Sequence, residues 1–301
     1  MKKIVEKIKS CIKLMRVHHY LKNGLILLPI FFSGQLTNLN SIIKIIIAFI
    51  SFSLIASLVY IINDIQDVEA DKKHPVKCKR PIASGKVTKT EAIVLACVLF
   101  VTSLGLNFII ANNITSYLIL LGYLAINICY SMGLKHKPII DVLILVAGFL
   151  LRVLYGAEII NVDISNWLYL TVMCMSFYLG LGKRRNEMKK VGNDSRKVLK
   201  FYTKDFLDKN MYMFLGLTIT FYSLWCMDIQ AAANIKSCIS LIWTVPLVIA
   251  ICMKYSLNIE GDSLGDPVDV VLHDKILIAM ILVYMLVLMF ALYNGMSIFL
   301  V

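Results

Sequence analysis

Apolar side chains along the 301 residues gather in continuous blocks of roughly 17–25, separated by polar patches. About 20 apolar residues at 1.5 Å rise cross a ~30 Å hydrocarbon core, so the blocks predict transmembrane helices. Nine spans are expected, at roughly 23–39, 42–62, 91–111, 114–132, 138–160, 166–182, 211–230, 237–253 and 276–300. Short hydrophilic turns join the first span to the second, the third to the fourth, the fifth to the sixth and the seventh to the eighth. The long polar segments are 64–90, 183–209 and 254–275. The first span is the weakest, interrupted by Pro29, Ser33 and Gly34. Barrel strands would alternate apolar with polar, and these blocks do not. No small-residue cleavage site follows the first apolar run, so no cleavable signal is expected. With no internal repeat or low-complexity segment, one all-α integral membrane domain over 1–301 is the simplest account.

Composition agrees: 59% of residues are apolar, 17% are charged, and the mean hydropathy is +0.77. A soluble domain runs at about 45–50% and about 25%, so a soluble enzyme and a disordered chain are both excluded. The charge is less ordinary. Lys and Arg number 31 against 19 Asp and Glu, a formal +12, and the placement of that excess sets the orientation. Residues 1–22 hold seven basic side chains, 64–90 seven, 133–138 two, 182–209 ten and 254–275 two, which is 28 of the 31. Lys44 and Lys236 lie near the opposite ends, Arg152 lies inside a span, and the other-side loops Ala111-Asn112-Asn113 and Glu158 to Asp163 are neutral or acidic. By the positive-inside rule the N-terminus and every long loop are cytoplasmic and the C-terminus is outside. An integral plasma (inner) membrane protein with its site open to the cytoplasm is expected.

In the N-terminal segment 1–22, Lys2, Lys3, Lys7, Lys9 and Lys13 oppose Ile4, Val5, Ile8, Cys11, Ile12 and Met15. That spacing suits a helix lying on an anionic inner leaflet; a plain orientation signal accounts for the same lysines. Cys11, Cys78, Cys97, Cys129, Cys174, Cys226, Cys238 and Cys252 show no C-x-x-C spacing and read as small core residues. His18, His19, His74 and His273 read as solvated loop histidines on the cytoplasmic side, with His136 set apart.

The chemistry concentrates after the second span, in Asn63-Asp64-Ile65-Gln66-Asp67-Val68-Glu69-Ala70-Asp71. If the helix continues, Asn63, Asp67 and Asp71 stack at i, i+4 and i+8, with Asp64 on the same side. Carboxylates so placed repel unless a cation sits among them. Hard oxygen donors suit Mg²⁺, which takes a few carboxylates and completes its shell with substrate phosphate oxygens. The bland reading is a solvated acidic helix end. Lys72, Lys73, His74, Lys77, Lys79 and Arg80 then invert the sign, the pattern of a metal–phosphate clamp. Most of those lysines read singly as inner-face loop charges; Arg80, fixed by Pro81, is the one assigned to phosphate.

N-D-x-x-D-x-x-x-D followed by Arg80-Pro81-Ile82-Ala83-Ser84-Gly85 resembles the UbiA superfamily of intramembrane prenyltransferases. The resemblance implies a nine-helix UbiA-like bundle with cytoplasmic cap loops, and an aspartate-rich motif that binds the Mg²⁺–diphosphate of its donor. Aromatic-prenylating members carry a second aspartate-rich motif in the later large loop. The matching stretch here, Gly182-Lys183-Arg184-Arg185-Asn186-Glu187, is basic, which argues against a second metal–diphosphate site. Other segments are similar to the polyprenyl-phosphate (decaprenyl-phosphate) phosphoribosyltransferase branch. Arg16 to Asn23 resembles its R-x-x-x-[WY]-x-K-N, and Tyr130-Ser131 through Leu134-Lys135-His136 to Asp141 resembles its Y-S-x-x-L-K-H-x-x-x-x-D. Gly148 to Arg152 is similar to G-F-x-x-R, and Gly182-Lys183-Arg184 with Glu187 to G-K-R-x-x-E. Arg196 to Leu199 before Tyr202, Phe206-Leu207-Asp208, and Gly265-Asp266-Pro267 ahead of Asp274 also fit. The likeness covers about residues 16 to 275.

A phosphoribosyl diphosphate donor and a polyprenyl phosphate acceptor together bring more phosphate than a prenyl donor does, which suits a basic second loop. Asp141 and Arg152 lie eleven residues apart, about three turns, on one face of the fifth span. Arg152 is nominally ~21 Å down that helix, and either a tie to a carbonyl or Glu158, or a functional role, accounts for it. The reading is a Mg²⁺-dependent transfer of 5-phosphoribosyl from phosphoribosyl diphosphate to a polyprenyl phosphate, for cell-envelope polysaccharide precursors. Asp64, Asp67 and Asp71 are the catalytic residues, with Asn63, Asp67 and Asp71 the metal ligands. Arg16, Lys22, Asn23, Arg80, Tyr130, Lys135, His136, Asp141, Arg152, Lys183, Arg184 and Glu187 are assigned to substrate. A homo-oligomer is left open and no nucleic-acid partner is expected. The rivals are a UbiA-type prenyltransferase acting on a prenyl diphosphate, and a transporter or binding protein for anionic metabolites.

Overall fold

The computed structural model describes residues 2–73, 76–111, 113–191, 197–232, 241–261 and 267–297. Of the residues named above, His74, Asn112, Arg196, Lys236, Cys238, Gly265 and Asp266 lie outside them. Regular structure among the described residues is helical throughout. In chain order it runs α1 (Lys2–Met15), a 3₁₀ stretch Val17–Leu27, α2 (Leu28–Phe32), α3 (Leu39–Gln66), α4 (Val68–Lys73), α5 (Lys89–Ile110) and α6 (Ile114–Ser131). After these come α7 (Ile140–Ile160), α8 (Asn166–Val191), α9 (Lys204–Ala232), α10 (Val245–Glu260), α11 (Pro267–His273) and α12 (Lys275–Ser297).

Six described helical segments are long and apolar enough to cross a membrane: Leu39–Gln66, Lys89–Ile110, Ile114–Ser131, Ile140–Ile160, Leu241–Glu260 and Lys275–Leu292. They coincide with six of the nine expected spans. The expected span 23–39 is not one helix. It is 3₁₀ to Leu27, five α-helical residues around Pro29, and a turn at Gly34, whose φ of 74° is left-handed. Spans 166–182 and 211–230 lie within the longer helices α8 and α9. α8 runs on to Val191, so Gly182 to Glu187 sit on helix where a loop was expected.

The chain divides into two compact units. The first comprises Met1–Ile30, Asn38–Gly133 and Leu151–Val162, and the second Phe31–Thr37, Leu134–Leu150 and Asp163–Val301. α3 is the spine of the first unit. It starts on Asn38, whose side chain accepts the amides of Asn40 and Ser41, and it buries Ser51, Ser53 and Ser57. α5 begins with a reciprocal Thr88–Glu91 capping box and packs on α3, where the Ser51 and Ser103 hydroxyls meet at 3.0 Å. Small polar residues let apolar helices approach closely and still satisfy their hydroxyls. The core of the second unit gathers Val142, Val146, Tyr178, Leu181, Leu199 and Tyr202 around α8 and α9.

Candidate functional site

The helix that enters the acidic motif breaks at Asp67, where φ and ψ are −89° and 6°. Its bonding register survives the break: the Asp67 amide donates to Asn63 O at 2.9 Å and the Asp71 amide to Asp67 O at 2.8 Å. Asn63, Asp67 and Asp71 therefore keep the one-turn stacking their spacing predicts. Asp64 and Asp71 are both buried, 3% exposed each, and two arginines hold them. Arg80 Nη1 donates to Asp71 Oδ2 at 2.6 Å and to Asp64 Oδ1 at 3.2 Å. Arg16 Nη2 donates to the same Asp64 oxygen at 2.6 Å. Buried charge is tolerable only when paired in this way.

Local backbone presents both cations. Arg80 is extended, at φ −65° and ψ 148°, as the residue before a proline must be. The following turn closes through Ser84 N–H on Arg80 O at 2.9 Å and Val87 N–H on Pro81 O at 3.0 Å, with Gly85 left-handed at φ 74°. Arg16 is itself left-handed at φ 52°, joining α1 to the 3₁₀ stretch, and its guanidinium lies 4.9 Å over the Tyr60 ring. Asn63 Oδ1 accepts the hydroxyl of Ser131, in the last turn of α6. Tyr60 and Ser131 thus belong to the cluster although they were not assigned to it from sequence. Ser131 lies inside the Tyr130-Ser131 motif, which marks it in the sequence; nothing in the sequence marks Tyr60. The exposed Glu69 pairs with Lys72 at 3.0 Å, and that lysine holds its carboxyl below the usual carboxylate range.

Among the described residues, no group of three or more His, Cys, Asp or Glu is gathered as a ready-made metal cage. The donor chemistry nonetheless fits Mg²⁺. Asn63, Asp64, Asp67 and Asp71 offer only hard oxygens, and Mg²⁺ characteristically takes one or two protein carboxylates and fills its shell with water and substrate phosphate.

Arg152 is 6% exposed. Its Nε donates to Asn23 Oδ1 at 2.7 Å and its Nη2 to the Tyr123 hydroxyl at 3.0 Å, with the Phe52 and Tyr123 rings 5.2 Å and 4.9 Å from the guanidinium. Asn23 passes the chain on to Ser53 Oγ at 2.9 Å. Asn23 and Arg152, both assigned to substrate from sequence, are here each other's partners. Lys22 and Tyr130 are half-buried, in the 3₁₀ stretch and in α6.

In the second unit Arg184 and Asp141 are fully buried. Arg184 Nε donates to Asp141 Oδ2 at 2.5 Å and Nη1 to Glu187 Oε2 at 2.7 Å. Asp141 Oδ1 accepts the Tyr202 hydroxyl at 2.6 Å. Burial first, then that bond to the carboxylate, pushes the Tyr202 phenol above its ordinary value. Arg185 pairs with Asp208. Of the basic stretch on α8, then, Arg184 is turned wholly inward while Lys183 is half-buried. Lys135 and His136 form the 3₁₀ turn Leu134–His136 ahead of α7. Asp274 caps α12 by accepting the amides of Ile276 and Leu277.

The family model described as "UbiA prenyltransferase family" matches residues 26–257. A decaprenyl-phosphate phosphoribosyltransferase of Corynebacterium glutamicum is 32% identical over 287 residues, covering 94% of this chain and 86% of its own. One of Mycobacterium tuberculosis is 31% identical over 277 residues, covering 90% of each chain. Among solved structures, a UbiA homologue from Archaeoglobus fulgidus bound to GPP and Mg²⁺ superposes with a TM-score of 0.70 at 19% identity, covering 93% of this chain and 99% of that one.

Proposed function

The chain belongs to the UbiA prenyltransferase family of integral membrane enzymes, and from that premise we propose that it transfers the 5-phosphoribosyl group of phosphoribosyl diphosphate to a polyprenyl phosphate, releasing diphosphate. The observation that carries the reading is the pair of buried carboxylates Asp64 and Asp71, braced by Arg16 and Arg80 on the segment that also carries Asn63 and Asp67. It lies in a chain matched over nine-tenths of its length by decaprenyl-phosphate phosphoribosyltransferases.

Asn63, Asp67 and Asp71, with Asp64 beside them, would hold Mg²⁺, which supplies neutralising charge at the diphosphate. Arg16 and Arg80 fix the carboxylates in place before substrate arrives, so little reorganisation is left for the reaction. Lys22 would supply positive charge for the remaining phosphate oxygens; by their motifs Lys135, His136 and Lys183 carry a phosphate-binding assignment of their own. An oxygen of the lipid phosphate attacks C1 of the ribose; the C1–O bond to diphosphate breaks as the new C1–O bond forms. A phosphate monoester has its second pKa near 6, so the nucleophile is ionised at neutral pH and no strong general base is required. Positioning and electrostatics then supply most of the acceleration. Arg184, enclosed by Asp141 and Glu187, supports the start of α7 from within. The placement of 28 of the 31 basic residues supports a site that opens to the cytoplasm; a plasma-membrane location and a product used for cell-envelope polysaccharide precursors complete the reading.

Transfer of a prenyl chain from its diphosphate is the second reading, favoured by the family description. The basic Gly182 to Glu187 stretch, where a second acidic motif would stand, weighs against it. Purified protein in lipid is offered labelled phosphoribosyl diphosphate with a short polyprenyl phosphate, and in parallel a labelled prenyl diphosphate with an aromatic acceptor, each with Mg²⁺ and with EDTA. Mg²⁺-dependent label in lipid from the first pair alone is the expected result. Activity confined to the second pair refutes the proposal.

A further inference from the structure

The segment entering α7 adopts a conformation that its own residues disfavour. Ile139 has a φ of 67°, where the Cβ of an L-residue crowds its carbonyl and a β-branched side chain is a genuine outlier. Pro138 before it brings no N–H of its own, and the backbone closes tightly on either side: Ile140 N–H reaches Pro138 O at 2.8 Å and Asp141 N–H reaches Lys137 O at 3.1 Å. Conformations of this kind persist only where the surroundings over-determine them.

Here the restraint is a chain of hydrogen bonds ending in charge. The Ile139 amide donates to the Tyr202 hydroxyl at 2.6 Å, and that hydroxyl donates its proton to Asp141 Oδ1 at 2.6 Å. The other Asp141 oxygen accepts Arg184 Nε at 2.5 Å, and Arg184 Nη1 reaches Glu187 at 2.7 Å. Asp141 and Arg184 are 0% exposed and Tyr202 is 5% exposed, so water does not compete for these bonds. The Phe206 ring stacks on Tyr202 with centroids 5.8 Å apart and fixes the plane of the phenol. The 3₁₀ turn Lys197–Phe201, which delivers Tyr202, packs against the turn Leu134–His136.

We propose that Tyr202 is a positioning residue: it latches segment 134–139 in its strained form and thereby sets where Lys135 and His136 present their N–H donors. The functional half of this inference rests on the phosphate-binding role given to those residues above; the latch itself does not.

The test uses the full chain in lipid nanodiscs, as wild type, Tyr202→Phe, Ile139→Gly and the double variant. Phenylalanine keeps the ring on Phe206 and deletes both hydrogen bonds. Tyr202→Phe is expected to speed amide exchange over 134–141 about tenfold, the factor that ~1.4 kcal/mol represents, and to leave exchange in α3 and α4 unchanged. It should also raise KM for phosphoribosyl diphosphate about tenfold with kcat held within about twofold. Adding Ile139→Gly, which takes a positive φ without strain, should return both readings toward wild type. Unchanged exchange and KM in Tyr202→Phe, loosening spread over all of α7 and α8, or no rescue by Ile139→Gly would each overturn the latch. If segment 134–139 loosens and is rescued as described while the unsubstituted protein transfers no phosphoribosyl group, the latch stands and the proposed reaction is what fails.

Discussion

Replacing Gly156 by alanine sets two effects of known size against each other. On α7 the residue faces the 3₁₀ stretch Val17–Leu27. A Cβ built there would lie 2.1 Å from the Ile26 carbonyl oxygen, 3.0 Å from its carbon and 3.2 Å from its Cα. Ordinary contact begins near ~3.5 Å, so the two backbones must part by more than 1 Å, roughly. Alanine is the better helix former by about 1 kcal/mol. Overpacking costs ~1–3 kcal/mol, and the upper end applies because the obstacle is backbone, with no rotamer to yield. The displaced stretch also carries Asn23, which accepts Arg152 Nε at 2.7 Å. Arg152 lies one turn before Gly156 on the same face of α7. Weakening that charged hydrogen bond adds ~1–2 kcal/mol, for a net loss of ~2–4 kcal/mol. SDS-titrated unfolding in mixed micelles measures it. A Gly156→Ala protein within ~0.5 kcal/mol of wild type, or more stable, would show that propensity wins and that the close approach to Ile26 is not what requires glycine.

Arg80→Ala removes the ion-pair partner of Asp71 and one of two for Asp64. Severing a fully buried pair costs ~3–5 kcal/mol, but the Arg80 side chain is 27% exposed, so ~1–3 kcal/mol is expected. A double-mutant cycle with Asp71→Asn should return most of that as coupling, and a coupling near zero would contradict the clamp. Arg152→Met leaves Asn23 and Tyr123 without their donor in a buried setting and should cost ~2–4 kcal/mol of stability by the same unfolding assay. Lys254 foremost, then the Leu277 amide and Asn258, hold the Asp274 carboxyl below its usual range. Its folded value is depressed, so its contribution is complete above the ordinary pKa of about 4 and disappears as pH falls through the folded value. The stability gap between wild type and Asp274→Asn should accordingly be widest near neutral pH and close in acid, as unfolding midpoints taken at descending pH will read.

Six of the helices were legible because an unbroken apolar run of span length has few alternatives. The segment 23–39 is apolar too, but Pro29 and a left-handed Gly34 turn it, and apolarity alone does not register a turn. The course of α8 past Gly182 was missed for the converse reason. Lys183 to Lys189 leave the apolar pattern, yet Lys, Arg and Glu are good helix formers, and cations suit a helix C-terminus. At the site, Asn63, Asp64, Asp67 and Asp71 were readable because their spacing is local. Arg16 was marked only by resemblance, since 48 residues separate it from Asp64 and no periodicity spans that distance. The same blindness applies to Arg184 and Asp141, 43 residues apart. From sequence both are assigned to substrate; the fold makes them a buried pair.

In the proposed reaction ribose leaves diphosphate and joins a lipid phosphate. Phosphoribosyl diphosphate carrying ¹⁴C in the ribose and ³²P in the β-phosphate, incubated with polyprenyl phosphate, Mg²⁺ and the purified protein, tests it in one extraction. Expected are ¹⁴C in the lipid phase and an equal amount of ³²P released into water as free diphosphate, with both products lost in Asp67→Ala. Both labels remaining in water, or ³²P entering the lipid, would contradict it.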